Sequence, residues 1–374
     1  MGETLAQGKK RMVEQDIAKG IAILIVVFVH SVQLKTTAMN WLVATTGYAM
    51  PFFYFMSGYN YKPGRGTWGQ NVVKRIKQIL WPLLYYSVGI YIVMTIYFMI
   101  RQEATVGDAL RAFASFWLTR PLTTWVGLNV DFSNPLAGLL GQGWFLQYMM
   151  TAYLIFYFVA DYALKTTGRF LSVNIALLAV TCVFTALEIT LPWGIHAAPL
   201  IASMMLFGAL FGQRKLLHKG TIPPEWNIPN TVAAFAIYLA FGLLYPKAGQ
   251  FAAGILGHDI GFWDVFMTLL SAILGSYILV NISKVLERVP VVNTAMEWCG
   301  SNSLQILLIH MCFIRIFSNA FHIVRPPMGT EIEQTNGMTV LVCVLAVAAT
   351  AAFVILFRAV KKSLRRKRER HEST

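Results

Sequence analysis

Long stretches without a charged residue recur along the chain, and they constrain its fold more than any other feature. Asp, Glu, Lys and Arg are absent from the ranges 36–61, 78–100, 132–160, 170–187, 189–213, 226–246, 265–283, 298–314 and 334–357. Most of these ranges reach the ~18–20 residues that a helix needs to cross a bilayer. In hydrocarbon every backbone amide must be hydrogen-bonded within its own segment, so such stretches form helices. We therefore predict an all-α fold, a polytopic transmembrane helical bundle.

About ten spans follow from these stretches together with the apolar segment after Lys19. Their predicted centres lie near residues 26, 48, 90, 154, 179, 205, 237, 273, 311 and 348. The composition agrees with this class, because 13% of the residues are charged, whereas soluble proteins carry about 25%. We expect a multi-pass protein of the cell membrane, such as a bacterial inner membrane.

Basic residues give the orientation of the predicted bundle. With both termini cytoplasmic, 24 of the 31 Lys and Arg residues fall on the cytoplasmic side, as the positive-inside rule requires. Eight of them lie in a predicted basic cytoplasmic tail, residues 358–374. The net charge of +14 is therefore an orientation signal and a contact for anionic membrane lipid. We expect no nucleic-acid partner.

One integral domain over residues 1–374 is expected, because the sequence contains no internal repeat and no low-complexity segment. The four cysteines are scattered through or beside apolar segments without a CxxC pair. They are expected to be packing residues, and the sequence predicts no metal site and no disulfide framework.

The first predicted span carries three ionisable residues in the segment "DIAKGIAILIVVFVH", residues 16–30. Lys19 and His30 are eleven positions apart, which places them ~20° apart around a helix and ~16 Å apart along it. Asp16 lies ~60° from Lys19 and ~40° from His30. Ionisable groups in a span usually face the protein interior and mark a pathway or a site. The structural alternatives are an interhelical hydrogen bond for His30 and an interfacial ion pair for Asp16 and Lys19.

Other polar residues recur where predicted spans begin or end. "GYAMPFFYFMSGYNY" brings Ser57 to the end of the second span, and the basic run "VVKRIKQILWP" precedes the third. "GQGWFLQYMM" begins the fourth span and "GSNSLQILLIH" the ninth. In the latter, Ser303 and His310 are seven positions apart and share a helix face, although a packing hydrogen bond is the structural alternative for His310. The outer connection 101–143 is expected either as an interfacial helix or as a segment that dips back into the protein.

These elements together resemble the acyltransferase-3 family of integral membrane acyltransferases, and within it the fucose 4-O-acetylase-like branch. The family's first span has an acidic residue, then Arg or Lys followed by Gly, and a His after ten intervening positions. The matching residues here are Asp16, Lys19, Gly20 and His30. Elements similar to "PLFFFLSGY", to a basic run before proline, to "GxxWFL" and to "GxNSLxIyxxH" are matched by residues 51–59, 74–82, 141–146 and 300–310.

Three positions depart from the family pattern. Lys19 stands where many members have Arg, which keeps the charge but loses a bidentate fork. Ala49 stands where the fucose-type branch often has His, and Gln78 replaces a basic residue. The residue at Ala49 bears on sugar specificity more than on the chemistry.

The resemblance implies a membrane O-acyltransferase that moves an acetyl or other short acyl group from cytoplasmic acyl-CoA to a hydroxyl of a cell-envelope glycan or lipid-linked sugar. Acetyl-CoA is the expected donor substrate, and no bound cofactor is expected. His30 is the candidate base because imidazole titrates near neutral pH, and Asp16 is expected to orient Lys19. The remaining predicted residues form two groups, which are Lys19, Arg75, Lys77 and Lys74 for the phosphates of acyl-CoA, and Ser57, Trp144, Tyr148, Ser303 and His310 for the substrate or the oxyanion.

Two other classes of membrane protein would make use of the same polar stripe. A glycoconjugate transporter or flippase would use it as a substrate or proton path, and a membrane sensor would bind a ligand there without chemistry. Transporters commonly contain inverted repeats with broken helices in corresponding places. The two halves of this sequence show no such pairing, which favours the enzyme.

Overall fold

The computed structural model describes residues 13–31, 47–125, 136, 139, 143–217, 228–244, 262–321 and 336–372. All regular structure in these ranges is helical, which confirms the predicted all-α class. The α-helices of the described residues are α1 (Val13–Ser31), α2 (Ala49–Tyr59), α3 (Trp68–Arg75), α4 (Trp81–Ile100), α5 (Val106–Trp125), α6 (Trp144–Ala163), α7 (Thr167–Ala186), α8 (Ala198–Leu217), α9 (Ile228–Leu244), α10 (Phe262–Leu286), α11 (Pro290–Ser301), α12 (Ser303–Ala320) and α13 (Asn336–Glu372). A π-helical turn (Ile76–Leu80) connects α3 directly to α4, and a 3₁₀ turn (Pro192–Gly194) precedes α8.

Within the described ranges, six helical segments are long and apolar enough to cross a membrane. They are Trp68–Ile100, Thr167–Ala186, Pro192–Gln213, Trp263–Leu286, Ser303–Ala320 and Met338–Val360. Nine of the predicted span centres fall within a helix, and the remaining one, residue 48, directly precedes α2. The helix α1 is not among the six because its 19 residues include Glu14, Asp16 and Lys19. Residues 36–46 of the second predicted span lie outside the described residues.

The uncharged stretch 298–314, predicted as one span, is divided between two helices. Its first residues belong to α11, and α12 begins after Asn302. Asn302 is fully buried, and its side-chain amide nitrogen donates to the carbonyl oxygen of Trp298 at 2.7 Å. The absence of charge correctly indicated an apolar environment. It did not reveal the helix boundary, because a neutral polar residue forms the turn.

The two long polar segments of the sequence are also helical where the structure describes them. α13 continues without a break to Glu372 and so includes most of the basic tail that begins at residue 358. α5 occupies the first half of the connection 101–143 and packs against α4 and the 3₁₀ turn. Most of residues 126–142 lie outside the described part of the chain.

The helix α1 contacts more of the bundle than its charges suggest, since it packs against α2, α10, α11, α12 and α13. Its closest approach is to α11. A Cβ built on Gly20 would overlap the backbone carbonyl of Met296, and one built on Gly300 would overlap the backbone carbonyl of Asp16. Glycine at both positions therefore lets the two backbones touch, which is how membrane helices gain van der Waals contact in the absence of a hydrophobic driving force.

A second glycine contact joins α2 to α8. A Cβ on Gly58 would overlap the backbone of Met205, one on Gly208 the carbonyl of Phe55, and one on Gly212 the carbonyl of Tyr59. Gly208 and Gly212 are four residues apart in the segment "GALFG", the spacing of a GxxxG helix-packing motif. This motif holds α2 in place beside α1 and α10, against which α2 also packs.

Gly208→Ala is expected to destabilise the protein. The new Cβ would collide with the backbone of α2 at Phe55, so the helices must separate, at a cost of ~1–3 kcal/mol. Thermal unfolding of the purified protein in detergent measures the change. Gly89→Ala is the matched control, because a Cβ there meets no atom and Ala favours a helix over Gly by ~0.5–1 kcal/mol. Equal unfolding temperatures for Gly208→Ala and the wild type would show that this contact does not limit stability.

Candidate functional site

The predicted polar stripe on α1 begins with a buried ion pair. Asp16 is 5% exposed, and its carboxylate accepts a hydrogen bond from the Lys19 ammonium at 3.3 Å. The Lys19 side chain keeps 27% of its surface accessible. Glu14 and Asp16 both lie in the first turn of α1, where negative charge is favoured by the positive end of the helix dipole. The pair is therefore held at the start of α1 with the lysine partly open to solvent or ligand.

At the other end of the stripe, His30 lies beside His310 of α12. The two ring centroids are 5.5 Å apart and the rings are tilted by 44°. His30 is half-buried and His310 is fully buried. The first-span histidine therefore contacts the interior of the bundle, as the helical periodicity predicted. No pattern in the sequence indicated that this particular histidine would be its neighbour.

One hydrogen bond of His310 sets the tautomer of its neutral imidazole. Its Nδ1 lies 2.9 Å from the carbonyl oxygen of Ile306, one turn earlier in α12. A carbonyl oxygen can only accept, so Nδ1 carries the hydrogen and Nε2 carries the lone pair. Nε2 has no hydrogen-bond partner in the described part of the chain.

The start of α1 shares one end of the bundle with two other helices, α2 and α6. Glu14 interacts electrostatically with the phenol of Tyr59 at the end of α2. Just beyond α2, the Tyr61 hydroxyl donates to the Asp161 carboxylate near the end of α6 at 2.7 Å. The same carboxylate accepts the backbone N–H of Gly64 at 3.0 Å. We call this end of the bundle the Asp16 end.

Arg75 of the basic loop is held at the Asp16 end by two tyrosines of α6. Its Nε donates to the Tyr157 hydroxyl at 2.7 Å, and its guanidinium lies over the Tyr153 ring, 4.5 Å from the centroid. Its Nη1 donates to the Gln78 side chain at 3.2 Å. The π-helical turn begins at the next residue, and such turns frequently occur at functional sites.

The two neighbouring lysines of the basic loop are more exposed than Arg75. Lys74 and Lys77 are exposed on either side of it. The helix α3 that presents this run begins at a capping box, in which the Thr67 hydroxyl accepts from the backbone of Gln70 and the Gln70 side chain accepts from the backbone of Thr67. The predicted basic loop is therefore an ordered helix that packs on α6, with Arg75 held by that helix and the two lysines exposed.

Ser57 lies between α2 and α6. Its hydroxyl donates to the carbonyl oxygen of Phe53 at 2.7 Å and lies 3.9 Å from the sulfur of Met149. Ser303 occupies the first position of α12 and is half-buried. Ser57 is thus placed towards α6, whereas Ser303 and His310 belong to α12 and contact a different part of the bundle.

Trp144 and Tyr148 stand at the start of α6, at the end of that helix opposite Asp161. Their rings meet edge to face, with centroids 5.1 Å apart. The Tyr148 ring packs against Gly194, whose φ of 66° and missing side chain allow the close approach. Trp193, at a φ of 56°, donates its ring N–H to the carbonyl oxygen of Trp117 at 2.9 Å. The predicted pair therefore belongs to a larger aromatic cluster that involves α5 and the 3₁₀ turn.

The structure groups the predicted residues into three places. Asp16 and Lys19 are paired, His30 and His310 are neighbours, and Trp144 and Tyr148 are neighbours. Arg75 is held by α6 rather than by α1. Six residues that position these groups were not predicted from the sequence, namely Asp161, Tyr61, Tyr153, Tyr157, Trp117 and Trp193. The Thr67-x-x-Gln70 spacing was a readable signal for α3, but the tyrosine partners of Arg75 had no local signal because they lie about 80 positions away.

A helical bundle with several helices able to cross a membrane, and with a buried polar stripe on its central helix, defines a multi-pass membrane protein. The family model described as an acyltransferase domain matches residues 13–358. The chain therefore belongs to the acyltransferase-3 family and is an acyltransferase, which favours an enzyme over the transporter and the sensor. Neither the search of curated proteins nor the search of solved structures gave a match.

Asp161→Ala is expected to loosen the segment between α2 and α3. The substitution removes the acceptor of the Tyr61 hydroxyl and of the Gly64 amide, and two such bonds are worth ~1–3 kcal/mol together. We expect roughly tenfold faster tryptic cleavage after Arg65 in permeabilised membranes. Asp161→Asn retains a side-chain oxygen that can accept and should remain close to wild type. Unchanged cleavage in Asp161→Ala would show that these two bonds do not hold the segment.

Proposed function

We propose that this acyltransferase moves an acetyl or other short acyl group from cytoplasmic acyl-CoA to a hydroxyl of a cell-envelope glycan or a lipid-linked sugar. The observation that carries the proposal is the arrangement along α1. A charged pair, Asp16 and Lys19, stands at the start of the helix. His30 lies ~16 Å further along the helix from Lys19, beside the buried His310. An anionic donor and a hydroxyl acceptor would need these two kinds of group, in a family that transfers acyl groups.

The proposed topology has about ten spans with both termini in the cytoplasm. It is supported by the positions of the helices, which fall at or beside every predicted centre, and by the 24 of 31 basic residues that this topology places on the cytoplasmic side. In this orientation the Asp16 end of the bundle faces the cytoplasm. We propose the cell membrane as the location.

The Asp16 end would receive the phosphates of acyl-CoA. Lys19 has three N–H donors, of which the structure commits one to Asp16. Arg75 has five, and Tyr157 and Gln78 take two of them. Both cations therefore have donors left for phosphate oxygens, and the exposed Lys74 and Lys77 add positive charge to the approach. Charge-assisted hydrogen bonds of this kind are the strong ones in anion binding.

At the other end of the stripe, His30 would act as the general base. Its ring takes the proton of the acceptor hydroxyl while that oxygen attacks the thioester carbonyl carbon. The C–S bond then breaks, CoA leaves as a thiolate, and the proton passes from the imidazolium to the thiolate. The products are an O-acyl ester and CoA thiol, so the step needs no metal and no further reactant.

The acceptor has the least direct support. The fucose 4-O-acetylase-like resemblance suggests a sugar, while Ala49 departs from that branch. Trp144 and Tyr148 offer aromatic faces that suit a sugar ring, and Ser57 and Ser303 are the remaining candidates for contacts with the substrate or the oxyanion. Mass spectrometry of envelope glycans from cells with and without the protein identifies the acceptor by an added acetyl or other acyl group.

His30→Ala is expected to abolish acyl transfer, because alanine has no group that can take the proton of the acceptor hydroxyl. The measurement is the transfer of label from radiolabelled acetyl-CoA to the envelope fraction of membranes that contain equal amounts of each variant. Phe28→Ala is the control, since Phe28 lies on the same helix but is exposed at its surface. Activity of His30→Ala near the wild-type level would rule out His30 as the base.

Lys19→Gln is expected to raise the KM for acetyl-CoA by roughly 10- to 100-fold, since a hydrogen bond to a charged group contributes ~1.5–3 kcal/mol. Lys19→Arg retains the charge and, with the fork geometry found in many family members, should stay near wild type. Lys165→Gln, which removes an exposed positive charge after α6, is the control for the general loss of charge. An unchanged KM in Lys19→Gln would remove Lys19 from the donor site.

A further inference from the structure

His310 has an unsatisfied acceptor in the interior of the bundle. The residue is 0% exposed, its Nδ1–H donates to the carbonyl oxygen of Ile306, and the lone pair of Nε2 faces no donor in the described residues. Buried polar groups are nearly always hydrogen-bonded, and an exception calls for an explanation. A purely structural role would leave this acceptor unexplained, because the bond to Ile306 already satisfies the other ring nitrogen.

The structure places the imidazole of His30 beside the ring that carries this acceptor. A centroid distance of 5.5 Å is short enough for a hydrogen bond between two ring nitrogens that point at each other. The two residues come from helices that pack against each other, α1 and α12. Their relation is therefore set by helix packing and does not depend on a loop.

We propose that His310 is the positioning residue of the reaction. Its Nε2 accepts a hydrogen bond from the imidazole N–H of His30 and thereby fixes which nitrogen of His30 faces the acceptor hydroxyl. This inference rests on the proposed function, in which His30 is the base. The tautomer of His310 is suited to the task, because the Ile306 carbonyl keeps the hydrogen on Nδ1 and leaves Nε2 as an acceptor.

The proton balance of the transfer is unchanged by this assignment. One nitrogen of His30 takes the hydroxyl proton, and the hydrogen on its other nitrogen stays there throughout, directed at His310. When His30 becomes an imidazolium ion, this hydrogen bond becomes charge-assisted and stronger. The contact therefore stabilises the imidazolium ion of His30, which exists after the C–O bond begins to form and before the CoA thiolate has left and taken the proton.

The side chain that replaces His310 tests the proposal. The amide oxygen of Gln reaches about as far as Nε2, whereas the shorter Asn reaches about as far as Nδ1, and Leu fills a similar volume without an acceptor. We expect His310→Gln to retain most of the transfer from radiolabelled acetyl-CoA to the envelope fraction. His310→Asn and His310→Leu should show a kcat roughly 10- to 100-fold lower with an unchanged KM for acetyl-CoA, because the donor cations are at the opposite end of the stripe.

Cys312→Ala is the matched control, since it alters another buried side chain of α12 and should leave the activity near wild type. Thermal unfolding in detergent reports on folding for every variant. Equal activity of the Gln, Asn and Leu variants overturns the proposal, and so does an equal loss in all three that follows their loss of stability. If His310→Leu fails to fold, the two polar variants decide, and an Asn variant at least as active as the Gln variant contradicts the proposal.

His30→Ala separates this inference from the proposed function. An inactive wild type, or an active His30→Ala variant, shows that the proposed function is wrong and that His310 has no base to position. An active wild type with an inactive His30→Ala variant supports the proposed function. In that case the comparison of the His310 variants is a test of the positioning role alone.

Discussion

The backbone contact between α1 and α11 determines which way the polar face of α1 points. Gly20 and Gly300 have no side chain, so the two helices meet through backbone atoms, and a Cβ at either position would collide with the opposite carbonyl. Inside a bilayer such contacts stabilise helix pairs because lipid tails solvate apolar side chains as well as protein does. The rotation of α1 is therefore fixed at one level of the helix. Asp16, one turn before Gly20, and His30, ten residues after it, are oriented together as a consequence.

The segment from Gly300 to His310 links the two ends of this arrangement. Gly300 packs on the backbone of Asp16, Asn302 forms the buried turn between α11 and α12, and His310 lies beside His30. The family element "GSNSLQILLIH" thus has a physical meaning at each polar or small position. Glycine permits the close approach and asparagine satisfies the backbone where the helix ends. The histidine lies beside His30, so the element packs on the first span at both of its ends.

Sequence periodicity predicted what is local to a helix and missed what depends on how helices meet. The ~20° offset of Lys19 and His30 follows from the helical repeat alone, and the structure pairs Lys19 with the buried Asp16 and places His30 beside His310. The neighbour of His30 could not be predicted in the same way, because it depends on the rotation and height of α12. The same limit applies to Arg75, whose contacts with Tyr153 and Tyr157 arise from the packing of α3 on α6. Glycine spacing was the missed signal, since "GALFG" marks the face of α8 that contacts α2.

The two cations at the Asp16 end differ in rigidity, and this difference suits the binding of a large anion. Arg75 is fixed from three directions by a tyrosine hydroxyl, a glutamine side chain and an aromatic ring. Lys19 has one partner ion at 3.3 Å and a partly exposed side chain. In the proposed reaction Arg75 would set the position of the donor phosphates. Lys19 has N–H donors left for the same phosphates while it stays paired with the buried Asp16. In the proposed reaction, a lysine on the helix that carries His30 would link the bound donor to the end of the bundle proposed for acyl transfer.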